Sequence, residues 1–270
     1  MYIDGVSYQI DRAKRNGDAY LLLQCPVCRT QSPLYFERDG YFLHRCPACR
    51  FVYVRNVPSE RTLAEFYATG HADEGVFVPV TQKRLSKRFS KGIENWWHAW
   101  AIAFHARGRR RLLEIGFGEG HLHKALHATR RFELEGIDYA KAPIAHLRAH
   151  GLKVFASSLA DRRYRDGHFE FIVGFHVLEH VQDLDLFMSE VHRVLADRGR
   201  VYFVVPCVTH RSAVRAGQNW KLFGPPGHLW HFSVRAMKQF MAERGFRVIF
   251  AHCLSNRPHL TVLAEKITTG

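Results

Sequence analysis

The sequence has no unbroken apolar run long enough to span a bilayer. The longest apolar-rich stretch, Trp96–Ala106, is interrupted by His98 and His105, and a spanning helix needs about 20 mostly apolar residues. Residues Met1–Tyr20 are polar and contain no signal-peptide core, so the chain reads as a cytoplasmic protein without membrane insertion. Internal repeats and low-complexity tracts are also missing, which excludes solenoid and propeller architectures. A basic tail is missing as well. The net charge is +14, but residues 1–110 carry 17 Lys and Arg against 10 Asp and Glu, and residues 111–270 carry 22 against 15. Each part is therefore +7. The local clusters Lys83–Lys91, Arg107–Arg111 and Arg162–Arg165 leave RNA possible as a partner, although no nucleic-acid module accompanies them. With 47% apolar and 24% charged residues, an ordinary buried core is within reach.

Cysteine is scarce too, with six residues, four of them in two pairs. Cys25-Pro-Val-Cys28 and Cys46-Pro-Ala-Cys49 are separated by seventeen residues, the spacing of a four-cysteine structural zinc site. The two-residue gap lets both thiolates of one turn reach the same ion. Two such turns close a tetrahedron and leave no open position. Zinc ribbons usually place glycine after each pair, whereas Arg29 and Arg50 stand here. Short β segments at 20–24, 34–37, 41–45 and 51–55 complete a zinc-ribbon module over residues 20–56. Cys207 and Cys253 read as isolated thiols.

Residues 57–107 read as a connector and a helix. The connector, 57–81, has a short helical pattern near 61–67. The helix, over 82–106, carries Ile93, Trp96, Trp97, Trp100, Ile102 and Ala103 on one broad face, and that stripe reads as packing surface. From residue 108 the pattern changes to alternating β and α units. Strands are expected at 111–115, 132–138, 152–155, 168–175, 200–205, 246–253 and 259–267. Helices are expected at 120–129, 142–150, 184–196 and 233–244. This alternation predicts an α/β, Rossmann-like, mostly parallel sheet covered on both faces. The turn at 255–258 makes the last strand antiparallel.

The sharpest chemical signal is Glu114-Ile-Gly116-Phe117-Gly118-Glu-Gly120, between a strand and a helix. Glycines there permit a tight turn and close ligand approach, and the helix N-terminus offers free N–H groups. Eighteen residues after Gly120, at the next strand end, Asp138 can accept the ribose hydroxyls of an adenosine ligand. The nicotinamide fingerprint requires glycine at 121, where His121 stands.

The pattern Glu-x-Gly-x-Gly-x-Gly resembles the first motif of class I S-adenosylmethionine-dependent methyltransferases. Residues 165–173 (Arg-Asp-Gly-His-Phe-Glu-Phe-Ile-Val), 177–183 (Val-Leu-Glu-His-Val-Gln-Asp) and 191–199 (Val-His-Arg-Val-Leu-Ala-Asp-Arg-Gly) are similar to further motifs of that family in the same order. The resemblance covers about 110–206 and implies a methyltransferase domain over 108–270. It also implies that Glu114, Gly116, Phe117, Gly118 and Gly120 line the methionine end of S-adenosylmethionine. Asp138 would hold the ribose and Tyr139 would lie on the adenine. Ser158 and Leu159 would meet the adenine edge, with serine at a position where the family commonly has an acid. Phe175 and His176 would lie where cofactor and acceptor meet.

A loop of 27 residues, Pro206–Phe232, follows the fifth strand. Loops above about 15 residues are usually functional. It includes the segment His228-Leu-Trp-His231-Phe-Ser, which resembles one found in bacterial sugar and natural-product methyltransferases. Methyl transfer from a sulfonium needs an in-line nucleophile, dry surroundings and, for a hydroxyl or carbon acid, a base. His228, His231 and His176 are the candidate bases, in that order. His176-Val-Leu-Glu179-His180 also matches a zinc-peptidase motif that would put both histidines on one helix. The expected function is methyl transfer to a small-molecule acceptor, namely a sugar, a lipid precursor or a natural-product intermediate. The alternatives are an RNA methyltransferase and a non-catalytic zinc-ribbon binding protein.

Overall fold

The structure is a computed structural model, and it describes residues 19–68, 85–139, 143–254 and 256–268. Most of the connector, the Ile93 side chain, the start of the helix expected at Ala142 and residue 255 of the last turn lie outside the described residues.

Five short strands open the chain: β1 (Tyr20–Leu21), β2 (Leu34–Arg38), β3 (Tyr41–Arg45), β4 (Val52–Val54) and β5 (Asn56–Val57). Helices α1 (Glu60–Ala68) and α2 (Leu85–His105) follow. The α/β part contains β6 (Arg111–Ile115), α3 (His121–Ala128), β7 (Glu133–Asp138), α4 (Ile144–Ala149), β8 (Lys153–Ala156), β9 (Phe169–Phe175), α5 (Leu184–Val194) and β10 (Leu195–Pro206). After α6 (Arg211–Ala216) and the two-residue β11 (Trp230–His231) come α7 (Val234–Ala242), β12 (Phe246–Cys253) and β13 (His259–Lys266).

Seven strands form one sheet in the order β12-β13-β10-β9-β6-β7-β8. All neighbours from β10 to β8 are parallel, and β13 runs antiparallel between β10 and β12. Strand residues alternate between two apolar layers. On one side Leu112, Phe171, Val173, Tyr202 and Val204 pack with Ala99 and Ile102 of α2, with Ala106 just after it, and with Leu122 and Leu126 of α3. On the other, Leu113, Ile172, Val201 and Phe203 pack with Met188 and Val191 of α5 and with Met237 and Phe240 of α7. Helices α5 and α7 begin where a side chain satisfies open N–H groups: Asp183 accepts from the amides of Asp185 and Leu186, and Ser233 from that of Ala236.

The aromatic stripe of α2 is not its packing face. Trp96, Trp97, Trp100 and Phe104 are exposed, while Ala99, Ile102, Ala103 and Ala106 are buried. Small residues let the helix lie close to the sheet, so the bulky rings take the outer arc. Helical spacing alone fits either face.

The segment Pro206–Phe232 is not a plain loop, because it contains α6 and β11. Trp230 pairs with Tyr53 and His231 with Val52, so the sheet beside the cysteines is four-stranded, β11-β4-β3-β2. One apolar cluster is continuous from Leu43, Phe51 and Val54 through Trp230 and Phe232 to α7.

Candidate functional site

The strand order reverses around β6: β7 and β8 lie to one side, and β9 returns on the other. A crevice outside the carboxyl ends of β6 and β9 is the usual ligand position in such sheets. The glycine loop sits there. Gly116, Gly118 and Gly120 have φ of 72°, 53° and 74°, a region that L-residues with side chains seldom enter. A Cβ at Gly116 would lie 2.6 Å from Val177 Cγ2, and one at Gly120 would lie 2.6 Å from Leu147 Cδ2. A Cβ at Gly118 would meet nothing within 4 Å. The first and last glycines therefore serve packing, and the middle one faces open space.

Asp138, at the end of β7, accepts a 2.7 Å hydrogen bond from the Gly118 amide through Oδ2. The carboxylate and the loop thus hold each other in place. Glu114 is buried and accepts from His123 Nδ1 at 2.8 Å. His123 escaped the sequence reading, since its place in the first turn of α3 gives no signal that it folds back onto β6. The Phe117 side chain is buried with Ile144, Leu147 and Val154, which leaves its backbone, not its ring, on the ligand side. Tyr139 is 80% exposed beside Asp138. Leu159 is buried. Ser158 donates to Asp161 Oδ2 at 2.6 Å, and its own hydroxyl accepts from the Asp161 amide. Asp161 thus sets a carboxylate beside the Ser158 hydroxyl. Phe175 stacks on Tyr202 and meets His98 of α2 edge-on, so its ring packs toward α2.

His176 follows β9 with φ of 55° and lies 2.9 Å, through Nδ1, from Glu179 Oε1. Residues 178–180 form a turn rather than a helix, so the zinc-peptidase arrangement, which needs both histidines on one helix, is absent. Burial would raise the Glu179 carboxyl, but the hydrogen bond and charge of His176 outweigh it and keep the group ionised well below the ordinary carboxylate range. Burial pushes His180 down to about 4. His180 Nδ1 contacts the Gly227 carbonyl at 2.8 Å and the Tyr67 hydroxyl at 2.9 Å. His228 is buried and holds the Leu222 carbonyl through Nδ1 at 2.8 Å. His231 is fully buried against Phe223, and burial drives it well below its ordinary value. Of the three candidate bases, only His176 is exposed.

The four cysteines converge. Cys28 Sγ lies 3.2 Å from Cys46 Sγ and 3.5 Å from Cys49 Sγ, and Cys25 Sγ lies 3.7 Å from Cys49 Sγ. A zinc–sulfur bond of about 2.3 Å implies tetrahedral edges of about 3.8 Å. Arg29 and Arg50 take φ of 59° and 61°. The turns therefore adopt the left-handed geometry that glycine would favour, and the Arg29 and Arg50 amides bond back to the Cys25 and Cys46 carbonyls. Among the described residues, no helix is long and apolar enough to cross a membrane.

Comparison with known proteins accords with this geometry. A probable S-adenosylmethionine-dependent methyltransferase of Mycolicibacterium smegmatis is 28% identical over 63% of this chain and 66% of its own length. A ubiquinone biosynthesis O-methyltransferase of Pseudomonas aeruginosa is 30% identical over 34% of this chain and 43% of its own. The chain thus spans less than two thirds of the length of these curated relatives. Among solved structures, the 1,6-didemethyltoxoflavin-N1-methyltransferase of Burkholderia thailandensis, with 1,6-didemethyltoxoflavin and S-adenosylhomocysteine bound, superposes with a TM-score of 0.54. It does so at 12% identity, over 87% of this chain and 99% of that one. An S-adenosylmethionine-dependent methyltransferase of Mesorhizobium loti gives a TM-score of 0.51 at 16% identity, over 64% of this chain and 98% of that one. The family model described as a methyltransferase domain matches residues 81–250, and the chain belongs to that family of S-adenosylmethionine-dependent methyltransferases.

Proposed function

We propose that this protein transfers the methyl group of S-adenosylmethionine to a small-molecule acceptor, and that its four cysteines hold a structural zinc. The observation that carries the reading is the loop of three left-handed glycines tied to Asp138 at the sheet's switch point. Gly118 leaves room for a ligand to approach the backbone. Asp138 accepts from the ribose, Tyr139 lies against the adenine, and Ser158 with Asp161 meets the adenine edge. Glu114, paired with His123, fixes the strand beneath the loop. When bound, S-adenosylmethionine supplies an electrophilic methyl, and the protein aligns the acceptor and excludes water.

His176 is the base that best fits, because Glu179 orients its ring and the side chain is open to an acceptor. His228 and His231 lie deeper and support that wall. The small-molecule class is supported by the N1-methyltransferase bound to 1,6-didemethyltoxoflavin and by the O-methyltransferase of ubiquinone biosynthesis. At the cysteines, four sulfurs at near-tetrahedral spacing with no nitrogen or oxygen ligand fit a closed zinc site. Titration calorimetry with S-adenosylmethionine and S-adenosylhomocysteine tests the cofactor assignment. Micromolar binding, about −8 kcal/mol, is expected; a folded protein that binds neither compound overturns it.

A further inference from the structure

Behind His176 lies a group of side chains that methyl transfer leaves unexplained. Glu179 comes from the turn after β9, and His228 comes from the segment before β11. Glu179 is completely buried and His228 nearly so. Glu179, His180 and His228 each place one donor atom within 4.8 Å of the other two. Both imidazoles use Nδ1 on a backbone carbonyl, His180 on Gly227 and His228 on Leu222, each at 2.8 Å. An Nδ1 that donates to a carbonyl leaves Nε2 as a lone-pair acceptor. Glu179 uses Oε1 on His176, while its Oε2 is buried without a hydrogen-bond partner, as is His228 Nε2.

Among the described residues nothing donates to Glu179 Oε2 or to His228 Nε2, so the centre of the group holds two unsatisfied acceptors. Buried unpartnered acceptors cost about 1–3 kcal/mol each. A cation satisfies both and can take His180 Nε2 as a third ligand. Imidazoles whose far nitrogen is fixed on a carbonyl are also the usual support of metal-bound histidine.

We infer that Glu179, His180 and His228 form a second metal site, separate from the four cysteines, that binds one divalent first-row cation of the zinc type. Two imidazole nitrogens and one carboxylate oxygen are a donor set that zinc takes with a fourth position left open. A water or an acceptor oxygen can fill that position. Tyr67 lies beside the group, its hydroxyl 2.9 Å from His180 Nδ1. His228 then serves as ligand, and the base role falls to His176. The site rests on the proposed function only for the identity of what fills the open position.

The test counts metal in the whole chain. Zinc-replete wild type, dialysed against metal-free buffer, is expected to retain two equivalents by mass spectrometry. Glu179→Gln and His228→Gln should each retain one while keeping the wild-type circular dichroism. Cobalt reconstitution assigns the equivalents, because only the cysteine site gives thiolate-to-metal charge-transfer absorption. One equivalent in wild type, all of it thiolate-bound, overturns the inference, as does a content unchanged by both substitutions. S-adenosylmethionine titration of the same samples reads the cofactor site independently. Loss of cofactor binding with two metals present would sink the methyltransferase reading and leave the metal site standing.

Discussion

Replacing Asp138 with alanine should separate a true nucleoside site from a mere glycine turn. The carboxylate is half-buried, ends β7, and is anchored by the Gly118 amide at 2.7 Å. With adenosine bound it would accept two ribose hydroxyls. Hydrogen bonds to a charged group contribute about 1.5–3 kcal/mol each. At the lower figure two of them give about 3 kcal/mol, or a rise in Kd of roughly a hundredfold. Alanine also releases the Gly118 amide and loosens the loop, which can only add to the loss. Asparagine keeps one acceptor for that amide but loses the charge, so its cost should be about tenfold. Calorimetric titration with S-adenosylhomocysteine measures both, with thermal melting as the control for folding. An alanine variant that melts like wild type and binds within about threefold of it would refute the assignment of the ribose site.

Three further outcomes follow from the geometry. Gly116→Ala should destabilise the fold by about 1–3 kcal/mol, because its Cβ would sit 2.6 Å from Val177 at positive φ; an unchanged melting temperature would contradict this. Gly118→Ala meets no protein atom, so it should melt closer to wild type yet bind cofactor more weakly; unchanged affinity would show that no ligand approaches there. Glu265 of β13 ties Arg200 of β10 to Arg247 of β12 at 2.9 and 2.7 Å. Burial would raise its carboxyl, but the bonds and charges of Arg200 and Arg247 outweigh that and hold it below the ordinary value. Its contribution is therefore full above the unfolded carboxylate pKa of about 4.3 and disappears as pH falls through the lower folded value. Melting curves of wild type and Glu265→Gln should converge with acidification; a constant gap would refute the linkage.

The sheet was legible because its central strands are apolar runs set between helical patterns, and strands buried on both faces read that way. The glycine loop and Asp138 were legible because each occupies a fixed place relative to a strand end. Contacts between segments far apart in sequence were not. Trp230 and His231 give no local sign that they add a strand to β4, more than 170 residues earlier. Nothing in spacing brings His123 onto Glu114, or His228 onto Glu179. The outward tryptophans of α2 show the reverse failure: the period was correct, but period does not say which arc meets the sheet. Asp161 carries no signal of its own either, because only the folded turn brings its carboxylate onto the Ser158 hydroxyl.

The pairing of β11 with β4 argues that the cysteine module is structurally inseparable from the site. Phe51 stacks on Trp230 at 6.3 Å and meets Phe232 at 4.8 Å. Ser233, the cap of α7, donates to the Cys49 carbonyl at 2.5 Å. On the other side, Trp230 Nε1 donates to the Val181 carbonyl, and the Leu229 amide donates to that of Glu179. The segment 220–233 is thus held between the cysteine-bearing strands and the turn that carries His176 and Glu179. Removing residues 20–56 would uncover Phe223, Trp230 and Phe232. At about 2.5 kcal/mol per buried ring, exposing half of each costs roughly 4 kcal/mol, against a total stability of about 5–15 kcal/mol. The shortened chain should lose the order of 220–233, expose apolar surface to a fluorescent dye and melt at a lower temperature. A shortened protein that stays soluble, melts as wild type does and binds cofactor with unchanged affinity would show instead that the module is an appendage, and that the site is built by residues 108–270 alone.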